Sequence, residues 1–479
     1  MTAAKYSLKT PVKAITADSR NVQAGSLFLA FAGEKVDGRQ YIDDAIKNGA
    51  SAVMWDAEGF DWHADWTIEN IAIKQLRQQA GNIACQFYNN PSSKMWVIGV
   101  TGTNGKTSIT QWLSQCFNYL NRKAAVIGTL GNGLPGSIEQ TNNTTPDPIL
   151  LQAMLADYVK QDAKVVAMEV SSHGLHQGRV NGVHFDVAVL SNLTRDHLDY
   201  HGTFEKYAAA KHRLFETSEL RFAVLNADDD FGQTLADELA DSDTVVVTYG
   251  IANGEIRASE IRFENGYFTF LAITPRGNAT VNANLIGRFN VFNVLAVLAT
   301  LLASQVSLID AITAIAQIKA APGRMQTMGG GKLPLVVIDY AHTPDALEKV
   351  LTALKAQARS KLICVFGCGG NRDIGKRPLM GKVASDIADA VVVTSDNPRG
   401  ENADDIIQDI VRNMLGNFAI EEDRAKAISI AILTAKVGDI VLIAGKGHED
   451  YQEINGVKLP FSDVEQAALV LKKYEERLL

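Results

Sequence analysis

Eleven residues constrain this chain more than any other stretch: Val97-Ile98-Gly99-Val100-Thr101-Gly102-Thr103-Asn104-Gly105-Lys106-Thr107. The apolar run at 96–100 predicts a buried strand, and the pattern over 108–117 predicts a helix. A glycine-rich turn lies between them. Strand, glycine turn and helix N-terminus together aim backbone N–H groups and the positive end of the helix dipole at one anion. The stretch therefore predicts a phosphate cradle, with Lys106 reaching the β- and γ-phosphates and the Thr107 hydroxyl on Mg²⁺. The strict spacing asks for glycine where this chain has Val100, and Gly102 is expected to serve instead.

From residue 96 onward strands and helices alternate. Strands are predicted at 124–127, 165–170, 187–190, 223–226 and 245–249. Such alternation predicts a doubly wound, mostly parallel α/β sheet, with ligands at the carboxyl ends of its strands. Polar residues follow those ends: Glu169, then Ser171-Ser172-His173, and Asn192-Leu193-Thr194-Arg195-Asp196-His197. A carboxylate and an imidazole there suit Mg²⁺ or phosphate; they equally suit caps and turns.

The flanking regions read as separate units. Before residue 90, strands at 26–31 and 52–55 and a helix at 41–48 stopped by Gly49 make a small α/β unit. Residues 256–272 alternate like an antiparallel hairpin turning at Asn265-Gly266. Asn290 and Asn293 fall on a helix that opens at Gly287-Arg288-Phe289-Asn290. After Ala321-Pro322-Gly323-Arg324 come strands at 335–339, 362–366, 391–394 and 440–444. Three of their ends carry glycines and polar groups: Gly367-Cys368-Gly369-Gly370, Ser395-Asp396-Asn397-Pro398-Arg399 and Gly445-Lys446-Gly447-His448-Glu449. A second site is expected at that edge. Turn clusters at Asn89-Asn90-Pro91-Ser92 and at 321–324 divide the 479 residues into 1–91, 92–322 and 323–479, about three domains at ~150 residues each.

Composition narrows the class. A net charge of -8 weighs against nonspecific nucleic-acid binding and against an acidic membrane surface. Cys364 and Cys368 lack a second cysteine pair, so zinc is not expected, and sparse cysteines fit a reducing cytoplasm. Residues 1–20 hold no apolar core of signal-peptide length, and the apolar run 294–303 is too short for a bilayer and reads as a buried helix.

Combined, the motifs resemble the Mur ligases, ATP-dependent amino-acid ligases of bacterial peptidoglycan synthesis. The resemblance rests on residues 101–107, Glu169-Val170-Ser171-Ser172-His173, Ala210-Lys211-His212-Arg213-Leu214-Phe215 and Asp339-Tyr340-Ala341-His342-Thr343-Pro344. Asp396-Asn397-Pro398-Arg399 looks like the recognition motif of the branch that adds meso-2,6-diaminopimelate. This motif argues against a lysine-adding relative and against a folylpolyglutamate synthetase-like ligase. The resemblance implies three domains: an N-terminal one for the UDP moiety, a central P-loop ATPase, and a C-terminal Rossmann-like domain for the amino acid. It implies ATP at Thr101, Gly102, Thr103, Asn104, Gly105, Lys106, Thr107, Asn290, Asp339 and His342. Mg²⁺ would be held by Thr107, Glu169, His197 and Lys211, the last as a carbamate; Lys106, Lys211 and His197 would be catalytic. UDP-MurNAc-L-Ala-D-Glu would contact Ser19, Asn143, Thr144, Thr145, Ser171, Gln177 and Arg179, with Glu34-Lys35-Val36 at a further UDP-contact position. The diamino acid would take Arg372, Asp396, Asn397, Pro398, Arg399, Gly445 and Glu449. A cytoplasmic monomer is expected.

Overall fold

Parallel strands backed by helices make up most of the molecule. The computed structural model describes residues 8–34, 36–141, 143–264 and 266–477. One compact unit runs to Glu255 and takes in Ala299–Val306; the other comprises Ile256–Leu298 and Ser307–Leu479.

In the first unit a small sheet has the order Ala14–Thr16, Ser26–Ala30, Ala50–Asp56, Glu69–Ile73, all parallel. The two strands expected here are its centre. The flanking strands are short and only half-buried, so no apolar run marks them. Leu27, Leu29 and Met54 pack on one face with Leu76 and Ala80 of the helix Leu76–Phe87. Phe28, Val53 and Trp55 pack on the other with Ile42 and Ala45.

The larger sheet of this unit runs Val245–Gly250, Phe222–Asn226, Val187–Leu190, Trp96–Thr101, Val165–Glu169, Ala124–Gly128, all parallel. Strands covered on both faces become near-continuous apolar runs, which is why the five inner strands are legible in the sequence; the half-exposed Val245–Gly250 is legible from its run of valines. An antiparallel hairpin, Gly131–Leu134 and Ser137–Glu139, continues past Ala124–Gly128. It escaped the sequence reading because its strands are glycine-rich or fully exposed.

The second unit begins with the antiparallel strands Ile256–Glu264, Tyr267–Thr274 and Gly277–Ala283. The first two are the expected hairpin; of its turn, Asn265 lies outside the described residues and Gly266 has φ +83°. The expected apolar run forms part of the helix Arg288–Ala303. A further sheet has the order Gln326–Gly329, Leu335–Asp339, Ile440–Ala444, Leu362–Phe366, Ala390–Val393, Phe418–Ile420, parallel except at its first strand. Separate apolar cores cover its two faces. Beneath its carboxyl edge Arg424 and Asp463 form a fully buried ion pair at 2.7 Å. Arg424 also donates to the carbonyl oxygen of Ala444 at 3.0 Å. The hairpin Tyr451–Ile454 and Val457–Pro460 follows. Among the described residues no helix is long and apolar enough to cross a membrane.

Candidate active site

The glycine turn folds as its sequence requires. Gly105, at φ +88°, caps the helix Lys106–Tyr119. Gly102 sits at φ +140°, and a Cβ there would lie 1.9 Å from Ser191 Oγ. Only glycine fits so close an approach, which explains why glycine is needed here and not at Val100. The neighbouring strand end steadies the loop: Thr103 N donates to Asn192 O at 2.8 Å, and Asn104 N to Asn192 Oδ1 at 3.1 Å. Lys106 Nζ folds over the loop and donates to the carbonyls of Gly102 and Thr103, both at 2.9 Å.

Lys211 reaches the same loop. It lies on the helix Phe204–His212, is 1% exposed, and donates to Gly102 O at 2.7 Å. Its ammonium also stands 4.6 Å from the centre of the Tyr207 ring. Burial, and secondarily the charge of Lys106, hold its pKa well below the usual lysine value.

Glu169 ends the strand beside the cradle and is 1% exposed. Thr107 Oγ1 donates to Glu169 Oε2 at 2.9 Å, Thr129 N to Oε1 at 2.8 Å, and Thr129 Oγ1 to Oε2 at 3.3 Å. Gly128 leaves room for the carboxylate, since a Cβ there would sit 2.2 Å from Oε1. Among the described residues no Lys, Arg or His pairs with it. A buried carboxylate held only by neutral oxygen and amide donors suits a hard cation such as Mg²⁺, with Thr107 as the adjoining oxygen ligand. His197, at φ +52°, has its ring 4.9 Å from that of His173 and 6.0 Å from Tyr207, and it lies within reach of the charges of Lys106 and Lys211. Burial lowers its pKa. Among the described residues no three His, Cys, Asp or Glu side chains gather as a metal site.

The residues expected at the UDP-linked substrate extend from Glu169. Thr145 Oγ1 donates to Glu169 O at 2.9 Å and to Ser171 Oγ at 3.1 Å, and Ser171 Oγ caps the helix Ser172–His176 by accepting from Gly174 N. Thr144 Oγ1 lies 3.0 Å from Thr129 Oγ1. Arg179 donates to Thr145 O at 2.8 Å and to Gln177 Oε1 at 2.8 Å. Gln177 in turn donates to Tyr200 OH at 3.0 Å and to Glu34. A cavity of about 410 Å³ opens here, lined by Glu34, Arg77, Gln78, His176, Gln177 and Tyr200 among others. Asn143 is exposed at one side of this network, and Ser19 lies in the 3₁₀ turn Ser19–Asn21 without a side-chain role in it. Lys35 lies outside the described residues.

The second unit carries the other expected residues. Asn290 is 2% exposed and donates to Ile286 O at 2.7 Å. Asp339 accepts N–H bonds from Met325 and Ala341, each at 2.8 Å. Burial raises its pKa and the nearby Arg324 opposes that rise. His342 Nδ1 donates to Tyr340 O at 2.9 Å.

At the carboxyl edge of the last sheet the three polar strand ends converge. Asn397 Nδ2 donates to Glu449 Oε2 at 2.8 Å. Lys446, 0% exposed, donates to Asn397 Oδ1 at 2.9 Å and to Glu449 Oε2 at 3.1 Å, with Asp396 Oδ1 at 3.8 Å. Gly445, at φ +115°, lets Asp396 approach, as a Cβ would meet its Oδ2 at 2.5 Å. Arg399 adopts φ +53° and donates through Nη1 to Gly370 O at 2.9 Å. Arg372 is exposed beside this cluster rather than part of its hydrogen bonding. The arrangement holds anionic, cationic and amide groups together, a set suited to an amino acid carrying both charges.

Three family models match in succession: Mur ligase family, catalytic domain, over residues 11–88; Mur ligase middle domain over 100–301; and Mur ligase, glutamate ligase domain, over 323–447. A protein of Chromobacterium violaceum named UDP-N-acetylmuramoyl-L-alanyl-D-glutamate--2,6-diaminopimelate ligase is 52% identical over 474 residues, covering 98% of this chain and 96% of its own. The chain belongs to the Mur ligase family. A Mur ligase of the same name from Pseudomonas aeruginosa is 48% identical, covering 97% and 96%. A solved structure bearing that name is 37% identical, with a TM-score of 0.75 over 97% of this chain and 96% of that one. The MurF ligase of Thermotoga maritima in complex with ADP shares the fold at 19% identity, with a TM-score of 0.65 over 98% and 99%. The expected class, a three-domain Mur ligase fold of mixed α/β type with mostly parallel sheets, is thus borne out.

Several side chains of this Mur ligase site were not singled out from sequence. Thr129 follows a strand end, a signal that was there to be read. Lys446 lay inside a flagged strand end, but its burial could not be inferred from glycine neighbours. Tyr200 and Arg77 in the first unit, and the hairpin residue Glu453 in the second, carry no local signal; only the fold of each unit brings them to their partners.

Proposed function

We propose that this chain is an ATP-dependent amide ligase that joins meso-2,6-diaminopimelate to UDP-MurNAc-L-Ala-D-Glu in peptidoglycan precursor synthesis, releasing ADP and phosphate. The reading places it in the cytoplasm as a monomer serving cell-wall biogenesis, with functional domains at 1–91, 92–322 and 323–479. The observation that carries it is the convergence of Asp396, Asn397, Arg399, Lys446 and Glu449 at one sheet edge, in a chain about half identical to ligases named for diaminopimelate.

In this reading the D-glutamyl carboxylate attacks the γ-phosphate of ATP. The amine of the diamino acid then displaces phosphate from the resulting acyl phosphate through a tetrahedral intermediate. The protein's part is positioning and charge neutralisation. The loop 101–107 receives the phosphates, and Lys106 exchanges its loop carbonyls for phosphate oxygens. Glu169 and Thr107 would hold Mg²⁺, with His197 and a carbamylated Lys211 as further ligands, and the chemistry it would supply is neutralisation of phosphate charge. Asn290, Asp339 and His342 serve ATP as well. Ser19, Asn143, Thr144, Thr145, Ser171, Gln177 and Arg179 orient the UDP-linked acceptor, with Glu34 beside them. Arg372, Asp396, Asn397, Pro398, Arg399, Gly445 and Glu449 hold the diamino acid, and the Arg399 fork takes its distal carboxylate.

Phosphate release measured with each substrate omitted in turn tests the reading. Release should require both acceptor and diamino acid, and meso-diaminopimelate should be used far better than lysine. Equal ATP turnover without either partner would mean that this is a P-loop protein of another kind.

A further inference from the structure

The guanidinium of Arg399 already faces a carboxylate. Its Nε lies 3.3 Å from Glu453 Oε2, on the strand Tyr451–Ile454, and its Nη1 is committed to Gly370 O. The backbone fixes this pairing. Arg399 N donates to Glu453 O at 2.9 Å, Asn455 N to Arg399 O at 2.6 Å, and Glu453 N to Asn397 Oδ1 at 2.9 Å. Gln452 Nε2 adds a bond to Asp396 O at 2.7 Å. The hairpin is therefore strapped along residues 396–399, and its one carboxylate in this strap points at the arginine fork.

We propose that Glu453 is a specificity-determining residue that competes with the distal carboxylate of the diamino acid for the Arg399 guanidinium. The inference rests on the reading of Arg399 given above. An incoming carboxylate that takes the Nε edge of the fork must displace Glu453 or lie beside it as a second negative charge. The pair is loose and about a quarter exposed on both sides, so it can exchange. A ligand with no distal carboxylate, such as lysine, leaves Glu453 on the arginine and meets no such competition. Glu453 thus weakens binding of the dicarboxylic substrate and narrows its advantage over lysine.

The test is the Michaelis constant for meso-diaminopimelate in Glu453→Gln, Arg399→Gln and the double variant, with the constants for ATP and UDP-linked acceptor as internal controls. Glutamine keeps the shape and the hairpin's backbone bonds. Glu453→Gln should lower the constant for meso-diaminopimelate about fivefold, the scale of a part-exposed ion pair, and the gain should shrink as salt is added. In the Arg399→Gln background the same change should do nothing, because the effect passes through the guanidinium. An unchanged or raised constant in Glu453→Gln, while Arg399→Gln alone weakens binding, overturns the competition and spares the Arg399 reading. An unchanged constant in Arg399→Gln overturns both.

Discussion

Lys106 and Lys211 donate to one backbone oxygen, that of Gly102, from 2.9 and 2.7 Å. Burial first, and then repulsion by the Lys106 ammonium, oppose a charge on Lys211. Lys211 is held towards its neutral amine, the form that adds CO₂. The sign follows from proton counting: the unfolded chain binds more protons at this site than the folded one, so stability rises as the pH climbs towards 10.5, the ordinary lysine value.

Lys211→Ala is therefore expected to lose activity and to recover part of it with short carboxylates, which would replace the carbamate oxygens. Intact mass of the wild type in bicarbonate should show one added CO₂ that the variant lacks. A free amine in active, Mg²⁺-loaded enzyme would remove this role.

Lys106→Ala should cut turnover by at least ~10²-fold, the scale of losing one preorganised electrostatic stabiliser. Phosphate release by a variant that melts like the wild type is the measurement. Near-normal release would take Lys106 out of the cradle's chemistry.

Lys446→Met should damage both stability and substrate use. It leaves Glu449 and Asp396 without their buried cation, a loss on the order of 3–5 kcal/mol for such pairs. Urea unfolding should shift to lower concentration, and the Michaelis constant for meso-diaminopimelate should rise while that for ATP holds. Lys446→Arg should recover part of the stability.

His201 supplies a pH dependence. Its ring nitrogen lies 3.0 Å from Ser172 Oγ, and burial first, then His173 and His176, push its pKa from 6.5 to about 4. The folded protein excludes a proton that the unfolded chain takes up. The stability contributed by neutral His201 is complete above pH 6.5 and is lost as the pH falls towards 4. Melting temperature followed through this window should fall less steeply in His201→Gln than in the wild type.

Most parallel strands of both larger sheets were legible because burial turns each into an apolar run, and their polar ends then announced where ligands go; the exposed parallel edge strand Phe418–Ile420 was not. Trp96–Thr101 with Gly102, and Ile440–Ala444 with Gly445, are cases in point. Strands exposed on one or both faces gave no such run, as with Ser137–Glu139 and Val457–Pro460. Pairings across long stretches of chain were hidden for a different reason. Nothing near Arg399 in sequence names Glu453 as its partner, and nothing near Glu169 names Thr129.

The buried Arg424–Asp463 pair gives the helix Asp463–Glu476 an unexpected importance. Asp463 opens the helix Asp463–Glu476, and Arg424 spans from it to Ala444 O, one residue before Gly445. A polypeptide cut before Asp463 would keep every residue assigned to the diamino acid, yet leave an unanswered guanidinium beneath them. Synthesis runs from the N-terminus, so the residues proposed for the diamino acid leave the ribosome before the carboxylate that answers the guanidinium beneath them.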